Sequence, residues 1–101
     1  MTITELALKT GVSERTLGLI IATIKDSGAS RAVLYGSRAR GDFSDPSDID
    51  IAYWGDKDLA YKLGTAFDEM PTIHKIDIVH FDSLPDGGLK QNILRDAVEL
   101  T

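Results

Sequence analysis

Residues 34 to 51 read Leu-Tyr-Gly-Ser-Arg-Ala-Arg-Gly-Asp-Phe-Ser-Asp-Pro-Ser-Asp-Ile-Asp-Ile, and this stretch decides how the rest of the chain is interpreted. Its apolar start predicts the end of a buried strand, Gly36-Ser37 a tight turn, and the residues from Asp48 onward a second strand. Side chains alternate along a strand, so Asp48 and Asp50 share one face, with their Cα atoms roughly 6–7 Å apart. Their carboxylates can therefore converge on one cation, and oxygen ligands of this kind suit Mg²⁺.

The turn at Gly36-Ser37 adds a second chemical function to the same stretch. Backbone N–H groups that a turn leaves free can cradle a phosphate if a helix starts there. A phosphate cradle next to paired carboxylates is the equipment needed to move a phosphoryl or nucleotidyl group. Without the turn, two acids on one strand face would indicate only the solvent side of a sheet.

The pattern Gly36-Ser37, ten residues, and then Asp48-Ile49-Asp50 resembles the active-site signature of the polymerase-β-like nucleotidyltransferases. The fuller form, Gly-Ser-Arg-Ala-Arg-Gly followed by Ser-Asp-Ile-Asp, is similar to that of the minimal nucleotidyltransferases of prokaryotes. Many of these are MntA-type antitoxins, paired with a helical HEPN protein in toxin–antitoxin modules. The resemblance extends from the helix before Leu34 to the C-terminus.

The resemblance implies roles for seven residues. Asp48, Asp50 and Asp77 would be the catalytic carboxylates and the ligands of two Mg²⁺ ions, and Asp77 would also be the base for the acceptor hydroxyl. Gly36 and Ser37 would hold the β- and γ-phosphates, and Arg38 and Arg40 would neutralise the charge of the triphosphate. The residues themselves leave alternatives open. Asp77 can be a surface strand acid, and either arginine can form an ion pair with the acids of the loop at 41–47.

The activity that the resemblance implies is transfer of AMP from ATP to a hydroxyl, with a tyrosine of a HEPN toxin as the acceptor and an antitoxin role for the protein. About 20 residues follow the third predicted strand, too few for an acceptor-binding domain, so the acceptor is expected on another chain, and a homodimer is a further possibility. Two alternatives are an idle antitoxin that neutralises its partner by binding alone, and transfer to a small molecule. A third, a DNA-binding helix-turn-helix in residues 6–17, lacks the third helix that such a motif needs.

Composition limits the other classes. The chain has 101 residues, which predicts a single domain over residues 1–101, and its net charge of −5 argues against direct nucleic-acid binding. It contains no cysteine, so it has neither disulfides nor a thiolate metal site. No apolar run is long enough to cross a membrane, and the N-terminus lacks the features of a signal peptide. A cytoplasmic protein is therefore expected.

Hydrophobic periodicity and capping residues predict an α+β fold, a small three-stranded mixed sheet with covering helices. The capping-box spacing of Thr2 and Glu5 predicts a first helix, and Ser13 caps a second that ends at Gly28. The remaining elements are strands at 31–35, 48–53 and 75–81, a short helix at 37–40, a helix that ends at Pro71, and a last helix with an apolar face formed by Leu89, Ile93, Ala97 and Leu100.

Overall fold

The computed structural model describes residues 1–100 of the chain. The helices are α1 (Ile3–Thr10), α2 (Glu14–Ser27), α3 (Gly36–Arg40), α4 (Leu59–Asp68) and α5 (Gly88–Asp96), and the strands are β1 (Arg31–Tyr35), β2 (Ile49–Trp54), β3 (Ile76–His80) and β4 (Val98–Glu99). One turn of 3₁₀ helix, Phe81–Ser83, follows β3. No helix in residues 1–100 is long and apolar enough to span a membrane.

The two N-terminal helices begin and end where their capping residues predict. Thr2 and Glu5 form a reciprocal capping box at the start of α1, and Gly11 ends that helix in the left-handed conformation. The Ser13 hydroxyl accepts a hydrogen bond from the backbone N–H of Thr16 at the start of α2. The chain then enters β1 directly, so α1 and α2 pack on the sheet without the third helix of a DNA-binding motif.

The strands form one mixed sheet in the order β3-β2-β1-β4. β1 and β2 are antiparallel, whereas β2 and β3 are parallel and are connected through α4, as a parallel pair requires a crossover. The predicted α+β class and mixed sheet are confirmed. The predicted number of strands is wrong, because the sheet has four strands and not three.

The fourth strand comes from the end of the predicted last helix. The helix stops at Asp96, and Val98–Glu99 pairs antiparallel with β1 instead of continuing the helical stripe of Ala97 and Leu100. Without it, β1 would present a row of unpaired N–H and C=O groups at the sheet edge. The backbone N–H of Leu100 donates to the carbonyl of Ala32, and Arg31 forms an ion pair with Glu99 at 2.7 Å. Pairing with the edge of β1 therefore stabilises these residues more than one further turn of α5 would.

The two faces of the sheet are covered differently. One face packs on α1, α2 and α4 and forms the main core around Leu34, Ile51 and Tyr53. The other face packs on α5 through a smaller cluster around Ala52 and Ile93. Because side chains alternate, Asp50 lies on the second face together with Ala52. The thinner cover leaves the end of this face, where Asp50 lies, partly accessible.

Candidate active site

Three residues lie in one row across the sheet at the end of β1. Asp50 of β2 is in register with Tyr35 of β1 on one side and with Asp77 of β3 on the other. Residues in register point to the same face of a sheet, and neighbouring strands are about 4.8 Å apart. The carboxylates of Asp50 and Asp77 are therefore neighbours, an arrangement that the alternation along β3 allowed.

The electrostatics of Asp50 reflect this crowding. Burial raises the pKa of the half-buried Asp50 carboxyl above its usual value, and the charges of Asp77 and Asp48 raise it further. A negative charge at this position is thus disfavoured both by lost hydration and by two neighbouring carboxylates. A bound cation would remove both costs, which makes the group of acids suited to a metal ion.

Gly36 brings the turn into direct contact with Asp50. Its φ of +79° lies in the region that residues with a Cβ rarely adopt, and a Cβ at this position would lie 2.8 Å from the Oδ2 atom of Asp50. The carboxylate of Asp50 therefore occupies the space that any other side chain at position 36 would need. Ser37 follows at the start of α3, where the first backbone N–H groups of a helix have no partner within the helix.

Asp48 lies just outside β2, at the end of the loop 41–48. The strand begins at Ile49, whose backbone N–H donates to the carbonyl of Lys75 next to β3. Asp48 is half-buried and close enough to contribute to the raised pKa of Asp50. Its position, unlike that of Asp50, depends on the loop and not on strand pairing alone.

Arg38 occupies a different environment from the one expected of a phosphate ligand. Only 1% of its surface is exposed, and its guanidinium donates hydrogen bonds to three backbone carbonyls, those of Thr10, Asp45 and Ser47, at 2.8–3.0 Å. It also lies 3.5 Å from the Nδ1 atom of His74. Its hydrogen-bonding capacity is thus used inside the protein.

Arg40 points to the opposite side of α3. Its guanidinium contacts Asp42 at 3.1 Å and the buried carboxylate of Asp96 at 2.8 Å. Hydrogen bonds from Arg95 and Arg40 hold the pKa of Asp96 below its usual value. The pairing with Asp42 is the loop ion pair that was the alternative for this residue, although 41% of the Arg40 side chain stays exposed.

Tyr35 is a member of the site that the sequence analysis did not single out. Burial raises the pKa of its phenol to about 12, with further contributions from the charges of Asp50 and Asp77. The phenol therefore stays protonated at neutral pH and is a hydrogen-bond donor beside the carboxylates. The position of Tyr35 beside Asp50 follows only from the register between β1 and β2, which cannot be predicted from the sequence pattern.

The acids fit a magnesium ion whose remaining ligands come from a nucleotide. Within residues 1–100, no three side chains of His, Cys, Asp or Glu converge into a complete metal-binding group. Mg²⁺ is usually bound through one or two carboxylates, with phosphate oxygens and water completing its shell. Asp48 and Asp50, with Asp77 beside them, provide such a partial set.

Comparison with known proteins agrees with this geometry. A family model described as polymerase beta, nucleotidyltransferase, matches residues 19–101. The chain belongs to the polymerase β nucleotidyltransferase family. The matched region of this nucleotidyltransferase includes the turn, Asp48 and Asp50, and Asp77. A search of curated proteins found no match.

A solved structure described as a proposed minimal nucleotidyltransferase has the same fold as this nucleotidyltransferase. The TM-score is 0.59 at 22% sequence identity, and the alignment covers 97% of this chain and 95% of the other. The likeness extends over the N-terminal helices as well, although residues 1–18 lie outside the family match.

Proposed function

We propose that this nucleotidyltransferase transfers AMP from ATP to a tyrosine hydroxyl of a HEPN-type toxin, in a Mg²⁺-dependent reaction, and thereby acts as an antitoxin. The observation that carries the chemical part is the position of Asp50, between Asp77 on the next strand and the turn at Gly36. This arrangement brings carboxylates and free backbone N–H groups to one place. The toxin partner rests on the resemblance of the signature to antitoxins.

Each residue of the candidate site has a distinct task in this reaction. Asp48 and Asp50 would hold Mg²⁺, which when bound lowers the charge repulsion around the α-phosphate and the departing pyrophosphate. Gly36 and Ser37 would bind the β- and γ-phosphates. Asp77, in register with Asp50 and partly exposed, would accept the proton of the attacking hydroxyl. The phenol of Tyr35 would remain neutral and donate a hydrogen bond into the same space.

The bond changes balance without any further reactant. The acceptor oxygen forms a bond to the α-phosphorus, and the bond from that phosphorus to the bridging oxygen of the β-phosphate breaks. The pyrophosphate leaves with the electron pair, and the proton of the hydroxyl moves to Asp77. The protein contributes mainly position and charge compensation, as in phosphoryl transfer generally.

Surface features support an acceptor supplied by another chain. On α5, the side chains of Leu89 and Leu94 are 44% and 55% exposed, so this helix leaves two large apolar residues accessible to a partner. Tyr53, by contrast, is fully buried, and Trp54 stacks on Phe81 at 4.6 Å with Arg31 over its ring. Large aromatic side chains are favoured at interface centres, which makes Tyr53 and Trp54 a second candidate contact, but both are engaged within the domain, so we assign partner contact to α5.

Nucleotide binding is the first test. We expect ATP to bind in the presence of Mg²⁺ and much more weakly in its absence, because the carboxylates repel a triphosphate that brings no cation. Isothermal titration calorimetry with and without Mg²⁺ measures this directly, with Asp48→Asn as the matched variant. Undetectable heat under both conditions would count against nucleotidyl transfer.

The acceptor is tested separately. Incubation with labelled ATP, Mg²⁺ and the product of the neighbouring gene, where that gene encodes a small helical protein with an Arg-x4–6-His motif, is expected to label a tyrosine of that protein. Peptide mass spectrometry locates the label. Complex formation without label would support an idle antitoxin, and label only on a small molecule would support a metabolic acceptor.

A further inference from the structure

Arg38 is a buried charge without a carboxylate partner. Within residues 1–100, no acid forms an ion pair with its guanidinium, and only 1% of the residue is exposed. Removing a charge from water is costly unless hydrogen bonds compensate it. Here the compensation comes from backbone carbonyls and from the ring of Phe43, whose centroid is 4.7 Å from the guanidinium carbon.

The three carbonyls belong to two segments that are distant in sequence. The carbonyl of Thr10 lies at the end of α1, outside the region matched by the family, whereas those of Asp45 and Ser47 lie in the loop that leads to the carboxylate of Asp48. Ser47 is the residue directly before Asp48. The guanidinium therefore connects the N-terminal helix to the backbone that carries a catalytic carboxylate.

The packing around this connection leaves little freedom. A Cβ at Gly11 would collide with the ring of Phe43 and approach the Nη1 atom of Arg38, so the α1–α2 junction lies directly against the loop. The shape of the side chain also matters. A guanidinium offers five N–H donors in a fixed plane, whereas a lysine ammonium offers three donors around a single point.

We propose that Arg38 is a positioning residue, which fixes the loop 41–48 on α1 and thereby holds Asp48 beside Asp50, and that it does not contact the nucleotide. The catalytic consequence rests on the proposed function. The structural part, an arginine that restrains the loop, stands independently of it. This role differs from the phosphate contact that the signature implied for Arg38.

The test compares Arg38→Lys and Arg38→Ala with Arg15→Ala, which removes an exposed arginine of α2. Because a misplacement of 1 Å in a catalytic group can lower a rate roughly 100-fold, we expect kcat to fall by about that factor in Arg38→Lys. The KM for ATP should change by a smaller factor than kcat, because Gly36 and Ser37, which would bind the phosphates, keep their positions. Arg38→Lys keeps the charge and most of the side chain, so it remains informative if Arg38→Ala does not fold.

Hydrogen exchange supplies a measurement that does not need activity. In Arg38→Lys, amide exchange should rise in residues 41–48 and near Thr10 while the sheet stays protected, and Arg15→Ala should leave both regions unchanged. A higher KM for ATP with unchanged kcat and unchanged loop exchange would instead make Arg38 a phosphate ligand. Exchange that rises uniformly over the chain would reduce Arg38 to a general stabilising residue, and either result would overturn the proposal.

The same experiment separates this proposal from the proposed function. If the wild-type protein neither binds ATP nor transfers AMP, the nucleotidyl transfer proposal fails, whereas the exchange of residues 41–48 in Arg38→Lys still decides whether Arg38 restrains the loop. If the wild-type protein is active and the loop exchange of Arg38→Lys equals that of the wild type, only the positioning role fails.

Discussion

Replacing Asp48 and Asp50 together by asparagine is expected to abolish nucleotidyl transfer without unfolding the protein. Asparagine has nearly the same shape as aspartate but no charge, so the variant cannot hold the cation that neutralises the triphosphate. Loss of groups that act on the developing charge typically lowers the rate on the order of 10³-fold or more. The measurement is transfer of labelled AMP, normalised to the fraction of folded protein.

The same variant should be more stable than the wild type in metal-free buffer at neutral pH. The folded state raises the pKa of Asp50, mainly through burial and then through Asp77 and Asp48, so it binds the proton more tightly than the unfolded chain does. That contribution to stability is fully present below the unfolded pKa near 3.8 and is lost as the pH rises through the folded pKa. At neutral pH the charged Asp50 therefore destabilises the wild type.

The size and pH dependence of this effect can be stated in advance. Asp50 keeps part of its surface in water, so solvent screening keeps the gain below about 1 kcal/mol, which corresponds to a rise in melting temperature of less than about 8 °C for a domain of this size. The difference should close as the pH is lowered through the raised pKa of the folded Asp50, because the wild-type carboxyl then takes up its proton. Thermal melts followed by circular dichroism over this pH range, in the presence of a chelator, test it.

Asp82→Asn is the matched control, because Asp82 is an exposed acid that follows β3 without belonging to the row. It should change neither activity nor the melting temperature in metal-free buffer at neutral pH. A large loss of melting temperature in the Asp48→Asn, Asp50→Asn variant in metal-free buffer would instead show that the two carboxylates support the fold.

Strand alternation is a local property, so the sequence could assign Asp50 and Asp77 each to a face of its strand, whereas Asp48, predicted to lie in the same strand as Asp50, lies in the loop just before β2. Whether Asp77 reaches Asp50 depends on the register between β2 and β3, which the alternation allowed and which only strand pairing fixes. Tyr35 depends in the same way on the register between β1 and β2. Local patterns thus identify the face on which a residue lies, whereas partners across the sheet need the tertiary structure.

The two arginines show a different limit. Residues two apart on a helix point about 200° from each other, so Arg38 and Arg40 cannot face the same ligand. The spacing alone does not say which one turns inward. Backbone carbonyls of the loop and of Thr10 accept hydrogen bonds from Arg38. Arg40 forms ion pairs with Asp42 and Asp96. Contacts between residues that are mostly far apart in sequence therefore decide which arginine turns inward.

The last strand illustrates how context overrides periodicity. Leu89, Ile93, Ala97 and Leu100 fit a helical stripe, whereas Val98 and Leu100 also fit the alternation of a strand. Because the edge of β1 was free to pair, Val98–Glu99 forms a strand and not a further helical turn. A short apolar tail is ambiguous until the edge that it can pair with is known.

Substitution of Gly36 by alanine is expected to remove most of the transfer activity. Two costs act together, since an alanine at φ +79° is strained and its Cβ would lie 2.8 Å from the Oδ2 atom of Asp50. The strain costs about 1–2 kcal/mol of stability. The collision forces either the turn or the Asp50 carboxylate to move, and a shift of about 1 Å lowers the rate roughly 100-fold.

Gly28→Ala separates these two costs. Gly28 has a similar φ of +88°, but no atom lies within 4 Å of where its Cβ would be, so this variant has the backbone strain without the collision. We expect both variants to lose similar backbone stability, and only Gly36→Ala to lose activity per folded molecule. Denaturant melts and labelled AMP transfer, measured on the same preparations, give both quantities. If Gly36→Ala matched Gly28→Ala in activity, the contact between the turn and Asp50 would have no part in the reaction, and the site would have to be sought elsewhere on the sheet.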